Sequence, residues 1–231
     1  MAGISKNTTI REFQDFIQGV YGLQNNRYFE VSEMLNNIQR FAMRGIKGIR
    51  KNNTKRTTKN LIISFSWLLS TLNRLHIDLE KETWNRFPYH CSYCGTIPCE
   101  CKTKKVQKRV DVADIDDSKR PKTLNGFQKM FNDIYPYSTR TLEHAGVHLA
   151  EEIGEFSEVL IAYRNEKEDN DFKRILVEAA DYFSCLVGVF NSLNVDLVSE
   201  LANLYSNNCH ECHNSPCSCS YSYIKNYKTE D

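Results

Sequence analysis

A cysteine pattern that occurs twice constrains this chain more than any other feature. Cys91, Cys94, Cys99 and Cys101 read C-x-x-C-x-x-x-P-C-x-C, and Cys209, Cys212, Cys217 and Cys219 repeat it 118 positions later. At the same offset His76-Ile77-Asp78-Leu79 falls on Asn194-Val195-Asp196-Leu197, and Glu82 on Glu200. Further upstream, Phe13-Gln14 and Tyr21 answer Phe127-Gln128 and Tyr135 with a slightly different offset. A self-match at fixed period sets the architecture before local detail is read. The chain is a duplication, each half ending in a cysteine knuckle.

Four thiolates per cluster is the ligand count of a closed tetrahedral zinc site, which is structural rather than catalytic. The Gly and Pro between the paired cysteines of the first cluster favour the tight turn that wraps both arms around one ion. Disulfides are the competing reading. No apolar signal stretch opens the chain and no segment approaches a membrane span, so a reducing cytoplasm is expected, where such clusters favour metal. Two structural Zn²⁺ are therefore expected, with His90, His210 and His213 as substitute ligands. Cys185 stands outside both clusters and reads as a small core residue.

With 231 residues, 41% of them hydrophobic, and a net charge of +1, the chain can bury a core and lacks the charge of a general nucleic-acid binder. No alternating strand pattern is present, and the periodicity predicts an all-α protein. Helices are expected over 11–22, 27–46, 57–76 and 78–87, then over 124–135, 139–165, 170–193 and 195–207. The expected organisation is a helical repeat (1–88), a first knuckle (89–102), a charged linker (103–122), a second repeat (123–208), a second knuckle (209–220) and a tail (221–231) without periodicity.

The second repeat carries acids at metal-ligand spacing. Glu152 and Glu155 form E-x-x-E; after a gap of 22 residues, Glu178 and Asp181 form E-x-x-D. Residues three apart share a helix face, so each pair can aim two oxygens at one point. Leu149, Ile153, Phe156 and Leu160 lay an apolar stripe beside the first pair, and Leu176, Ala180, Phe183 and Val187 beside the second. Such a concentration of like charge is costly without cations, and hard oxygen ligands suit Mg²⁺ or Mn²⁺. The competing reading is a solvated acidic face, with Glu178 paired to Arg174 or Lys173.

These motifs, with His148-Leu149-Ala150-Glu151-Glu152 before them and Val195-Asp196-Leu197 after, resemble the all-α nucleoside triphosphate pyrophosphohydrolase superfamily, which includes MazG proteins, dimeric dUTPases and dCTP pyrophosphatases. The resemblance is specific over about residues 127–208. It implies two tandem MazG-like repeats packed as a pseudo-dimeric bundle. It also implies cleavage of a (d)NTP to the monophosphate and pyrophosphate, with Mg²⁺ on Glu152, Glu155, Glu178 and Asp181. Glu151 or Glu155 is then the candidate proton acceptor. Asn208 matches a position where the family often has Asn, and Arg140 and Lys173 are candidate phosphate contacts.

The sequence departs from the family where a lysine on the last helix is usual: Leu204 stands there, and the first copy has Arg86 at the equivalent position. Arg86, or the basic run across 44–59, is expected to supply the missing charge from across the repeat interface. In the first copy, Glu30-Val31-Ser32-Glu33 looks like the E-x-x-E element, whereas Asn60 and Ile63 replace the second pair, so half of the ligand set is expected to be lost. No acid occurs from Met34 to Ile77, while Arg40, Arg44, Lys47, Arg50, Lys51, Lys55, Arg56 and Lys59 accumulate. That run reads either as a solvated, flexible connection or as an anion-binding surface. It lacks interleaved aromatics, which argues against nucleic acid. His144 and His148, four apart, are read as lying outside the metal site.

A nucleoside triphosphate is thus the expected partner, with no membrane and a possible homo-oligomer. The alternative is a catalytically inactive nucleotide-sensing or partner-binding scaffold that keeps the fold and docks through its knuckles.

Overall fold

Helix boundaries in the computed structural model, which describes residues 3–110 and 115–229, follow from local chemistry. Thr9 opens α1 (Ile10–Tyr28) with a capping box to Glu12, and Glu30 opens α2 (Val31–Arg50) with a second one to Glu33. The side chain of Asn53 caps α3 (Thr54–Arg74), and that of Asp78 caps α4 (Leu79–Arg86). A single turn, α5 (Cys101–Lys104), follows the first knuckle. The second copy repeats the plan with α6 (Leu124–Ile134), α7 (Leu142–Glu166), α8 (Asp169–Ser192) and α9 (Leu197–Leu204), capped by Thr123, Thr141 and, at α9, Asp196. A last short helix is α10 (Tyr221–Asn226). No strand occurs among the described residues, and the protein is all-α as expected.

One buried hydrogen-bond hub is the same in both copies. Gln14 donates to Asn73 Oδ1 and Ile77 O and accepts from Leu79 N, at 2.9, 2.7 and 3.2 Å. Gln128 does the same with Asn191, Val195 and Leu197, at 3.1, 2.8 and 3.0 Å. Each glutamine satisfies the backbone at the turn leading into the short last helix, where a buried orphan would be costly. His76 and Asn194 occupy that turn with φ of 57° and 53°.

Side chains at equivalent positions meet each other where the copies join. Phe65 stacks on Phe183 at 5.2 Å, Tyr182 OH lies 2.7 Å from Ser64 Oγ, and Gln39 donates to Ser157 Oγ at 2.8 Å. Each pair is 118 residues apart, the offset of the sequence repeat. The buried set Leu35, Ile38, Phe41 and Ala42 on α2 falls, at the same offset, on Ile153, Phe156, Val159 and Leu160 on α7, all buried.

The copies also exchange their last helices: α4 packs on α8 and α9 packs on α3. The knuckles follow. Cys99 N bonds Ile134 O at the end of α6 (2.8 Å), and Cys217 N bonds Val20 O in α1 (2.7 Å). One apolar core therefore runs through both repeats, and the expected segments 1–88 and 123–208 share it. Helix α8 is long and apolar enough by composition to cross a membrane, yet two-thirds of that stretch is buried within the fold.

Three sequence expectations are corrected. The basic run is not a flexible connection: α2 continues to Arg50, α3 starts at Thr54, and only residues 51–53 join them. Their close approach relies on Gly48, where a Cβ would overlap Thr57. The segment 103–122, expected as a linker, is tied down where described: Trp84 Nε1 donates to Asp117 (2.6 Å) and Val110 N to Tyr93 O (3.0 Å). The tail is not featureless, because Ser220 caps α10.

Candidate functional site

Helices α7 and α8 form a hairpin, and the apolar stripes that bury their facing sides fix which residues stand at its edge. Glu152, Glu178 and Asp181 meet there, each with an oxygen within 4.8 Å of the others. Oε2 of Glu152 and Oε2 of Glu178 are buried with no hydrogen-bond partner. Unpaired buried carboxylate oxygens are costly, and a divalent cation is the chemistry that satisfies several at once. The residues therefore fit Mg²⁺ or Mn²⁺.

The titration behaviour follows from the crowding. Burial first, then the charges of Asp181, Glu155 and Glu178, push the Glu152 carboxyl up to about 8, with Arg86 pulling the other way. Burial, then Asp181 and Glu155, push Glu178 up to about 7. Glu155, the fourth expected ligand, lies exposed at the open side, close enough to act on both glutamates but outside the group of three.

Arg86 reaches this cluster from the other copy. Its Nε and Nη2 donate to the two oxygens of Asp181 at 2.9 and 2.6 Å, and both side chains are nearly buried (13% and 11% exposed). Burial opposes the arginine's charge, but the bonds and charge of Asp181, with Glu178 behind it, raise its pKa. The expectation that Arg86 crosses the repeat interface to the site is met in position; its partner here is a carboxylate. The exchange of α4 and α9 makes this possible.

The remaining expected residues divide. Arg140 packs on α8 near Cys185 and Tyr135: its guanidinium rests on Gly188, where any Cβ would overlap it, and its Nε is buried without a hydrogen-bond partner. Burial lowers its pKa, against the pull of Cys185 and Tyr135. Cys185 is near both Arg140 and Glu152, and burial, then the Glu152 charge, pushes its thiol far up, in keeping with a core residue. Glu151 is turned away: its carboxylate meets His148 Nδ1 at 3.1 Å and lines a groove with Ile46 and Ile49 of α2, which removes it as proton acceptor. His144 and His148 contact each other's rings at 4.5 Å and take no part in the acid cluster. Lys173 is exposed in the first turns of α8. Asn208 precedes Cys209 in the second knuckle, which lies against α1, so it belongs to the first copy's side and not to the acids.

The first copy has lost more than its sequence suggested. In the register fixed by the buried faces, Met34 and Asn37 stand where the second copy has Glu152 and Glu155, and Asn60 and Ile63 where it has Glu178 and Asp181. All four ligands are gone. The motif-like pair Glu30 and Glu33 is spent on capping α2, Glu33 accepting from Glu30 N at 2.9 Å.

Both knuckles gather four sulfurs within 4.8 Å of one another, and all nine cysteines are free. Sulfurs about 2.3 Å from a central Zn²⁺ stand about 3.8 Å apart in a tetrahedron. The closest pairs, Cys91–Cys101, Cys94–Cys99 and Cys212–Cys217, are 3.6, 3.9 and 3.7 Å apart. Both sites fit zinc, and neither has the spacing of a disulfide. Comparison with protein-family models, with curated proteins and with solved structures gave no match.

Proposed function

We propose that the chain is a Mg²⁺-dependent nucleotide pyrophosphohydrolase of the MazG-like kind, cleaving a (d)NTP to the monophosphate and pyrophosphate. The observation that carries the reading is the pair of buried oxygens without hydrogen-bond partners, on Glu152 of α7 and Glu178 of α8, gathered with Asp181 of α8 within 4.8 Å of one another. The pseudo-dimeric packing of two MazG-like repeats belongs to the same proposal, supported by the equivalent contacts between copies.

Glu152, Glu178 and Asp181 would hold the cation, with Glu155 reaching in from the open side. A divalent ion held there would supply charge neutralisation at the phosphate oxygens and activation of the attacking water. The protein's own part is positional. Arg86 orients Asp181 from the opposite copy through two hydrogen bonds. Glu155, the exposed acid next to Glu178, is placed to accept a proton from the attacking water. Arg140, which packs on α8 at Gly188, is the candidate cation for the leaving pyrophosphate.

Purified protein incubated with each canonical (d)NTP and Mg²⁺ should release pyrophosphate from at least one of them. Glu152→Gln and Asp181→Asn should lower that turnover about a hundredfold or more, since such ions supply several kcal/mol of transition-state stabilisation. Turnover that survives both substitutions rules the assignment out. A second reading, a catalytically quiet nucleotide sensor, is favoured by one observation: the Arg86–Asp181 pair already neutralises one acid without a metal. A protein that binds nucleotide with Mg²⁺ but releases no pyrophosphate would establish it.

A further inference from the structure

The eroded cleft of the first copy is not empty space. Where the second copy has acids, the first has a cavity walled by aromatic rings and arginine, among them Trp67, Tyr205, His210 and Arg40. The chain's own tail closes it. Arg40 Nη1 donates to Lys225 O at 2.8 Å and Arg44 Nη1 to Tyr227 O at 3.4 Å. The Tyr227 ring meets His210 at 5.4 Å and Phe41 at 6.1 Å, and Thr229 Oγ1 donates to Asn60, the counterpart of Glu178, at 3.0 Å.

This closure leaves the guanidinium half served. Nε and Nη2 of Arg40 are buried without a hydrogen-bond partner, the guanidinium otherwise resting over the Phe41 ring at 4.6 Å, although the charge is fixed and strongly prefers anionic oxygen. The Lys225 and Tyr227 carbonyls are weaker acceptors standing where phosphate oxygens would fit. The tail thus offers an aromatic ring with oxygens beside it, the two features of a nucleotide. Lys59 adds positive charge nearby, and Glu211, engaged with Tyr223 OH at 2.5 Å, is the acid at this rim. With the tail in place the cavity measures about 60 Å³, room for a few waters. A ligand pocket needs roughly 300 Å³ or more, so entry requires the tail to leave.

We propose that the first copy's cleft is a second ligand site, for a nucleotide-class aromatic phosphate held by Arg40 and Arg44, and that residues 221–229 are its displaceable plug. Binding here needs no divalent cation, which separates it from the acid cluster. It does not depend on the hydrolytic reading.

The test uses the full zinc-loaded chain, without Mg²⁺, carrying Trp84→Phe so that Trp67 is the remaining tryptophan. The four canonical nucleoside monophosphates and inorganic phosphate are titrated while Trp67 fluorescence and hydrogen exchange over 221–229 are followed. At least one monophosphate should perturb Trp67 and speed exchange in the tail, and inorganic phosphate should bind about tenfold more weakly. Tyr227→Ala should tighten binding about tenfold by removing the closed state's competition. Tyr223→Phe, a milder loosening should Tyr227→Ala fail to fold, should tighten it about threefold. Arg40→Gln should weaken it about tenfold or more. The proposal is overturned if no monophosphate binds even to the loosened variants, if inorganic phosphate binds equally well, or if binding survives Arg40→Gln and is lost in Glu178→Gln.

Discussion

The cleft between α7, α8 and α4 and its counterpart between α2, α3 and α9 share one scaffold and opposite chemistry. In the first, three acids crowd together and one arginine crosses over to hold Asp181. In the second, Met34, Asn37, Asn60 and Ile63 replace the acids, Leu204 replaces Arg86, and the tail folds over what is left. The matched glutamine networks show that the frame tolerates either filling. The charged cluster is present as a set in one copy and absent as a set in the other, which accords with the several kcal/mol that one buried charge left alone costs.

The largest expected effect comes from the knuckles, since each ties its own copy's last helix to the first helix of the other. Zinc sites in small domains contribute about 10 kcal/mol or more of apparent folding free energy. Metal analysis should find two Zn²⁺ per chain, and Cys94→Ser should leave one and abolish cooperative melting of the α4–α8 side first. A variant that loses zinc and melts like the parent breaks the account of the swapped packing.

Next is the Arg86–Asp181 pair. Arg86→Ala strands a nearly buried carboxylate and should cost about 3 kcal/mol in the zinc-loaded protein without Mg²⁺, measured by urea unfolding. Combining Arg86→Leu with Asp181→Ile copies the residues of the other half and should recover most of that stability. If the double variant is no better than the single one, the two clefts are not interchangeable fillings.

The pH dependence sharpens the comparison further. Glu152 and Glu178, at about 8 and about 7, both lie above their ordinary 4.5. Their contribution to metal-free stability is therefore fully present below that ordinary value and is lost as pH rises through 7 to 8. Glu152→Gln, neutral throughout, should melt above the parent at about pH 8.5 without Mg²⁺, with the gap closing towards about pH 5. Saturating Mg²⁺ should close the gap at the higher pH as well. Because zinc is common to both proteins, the difference isolates the acids; a gap independent of pH contradicts the crowding.

The smallest effect is a matched pair. Gln14→Ala and Gln128→Ala each remove a three-bond hub and should cost similar amounts, about 1–3 kcal/mol each. Clearly unequal costs would show that the frames are less alike than their bonds.

Much of this was legible in the sequence. Repeated cysteines gave the duplication, apolar periodicity gave the eight main helices, and ligand spacing gave Glu152, Glu178 and Asp181. What the sequence hid was packing. Nothing local says that α4 reaches the second copy's acids, so the sequence alone does not show that Arg86 meets Asp181 while Asn208 lies on the first copy's side. Glu30 and Glu33 misled because E-x-x-E at a helix start is also a capping box, and the apolar register of Leu35, Ile38 and Phe41 was the signal that distinguishes them. Glu151 was misplaced because adjacent helical residues point about a quarter-turn apart. The tail helix was too short for any periodicity to register.

Whether the acid cluster is a cation site is tested most directly by titrating the zinc-loaded, full-length protein with Mn²⁺ and following free Mn²⁺ by electron paramagnetic resonance, with Mg²⁺ as competitor. The account predicts saturable Mn²⁺ binding that Mg²⁺ displaces, that Glu178→Gln abolishes, and that Asn60→Ala at the equivalent position leaves untouched. Absence of saturable binding, or binding that Glu178→Gln does not change, would contradict it.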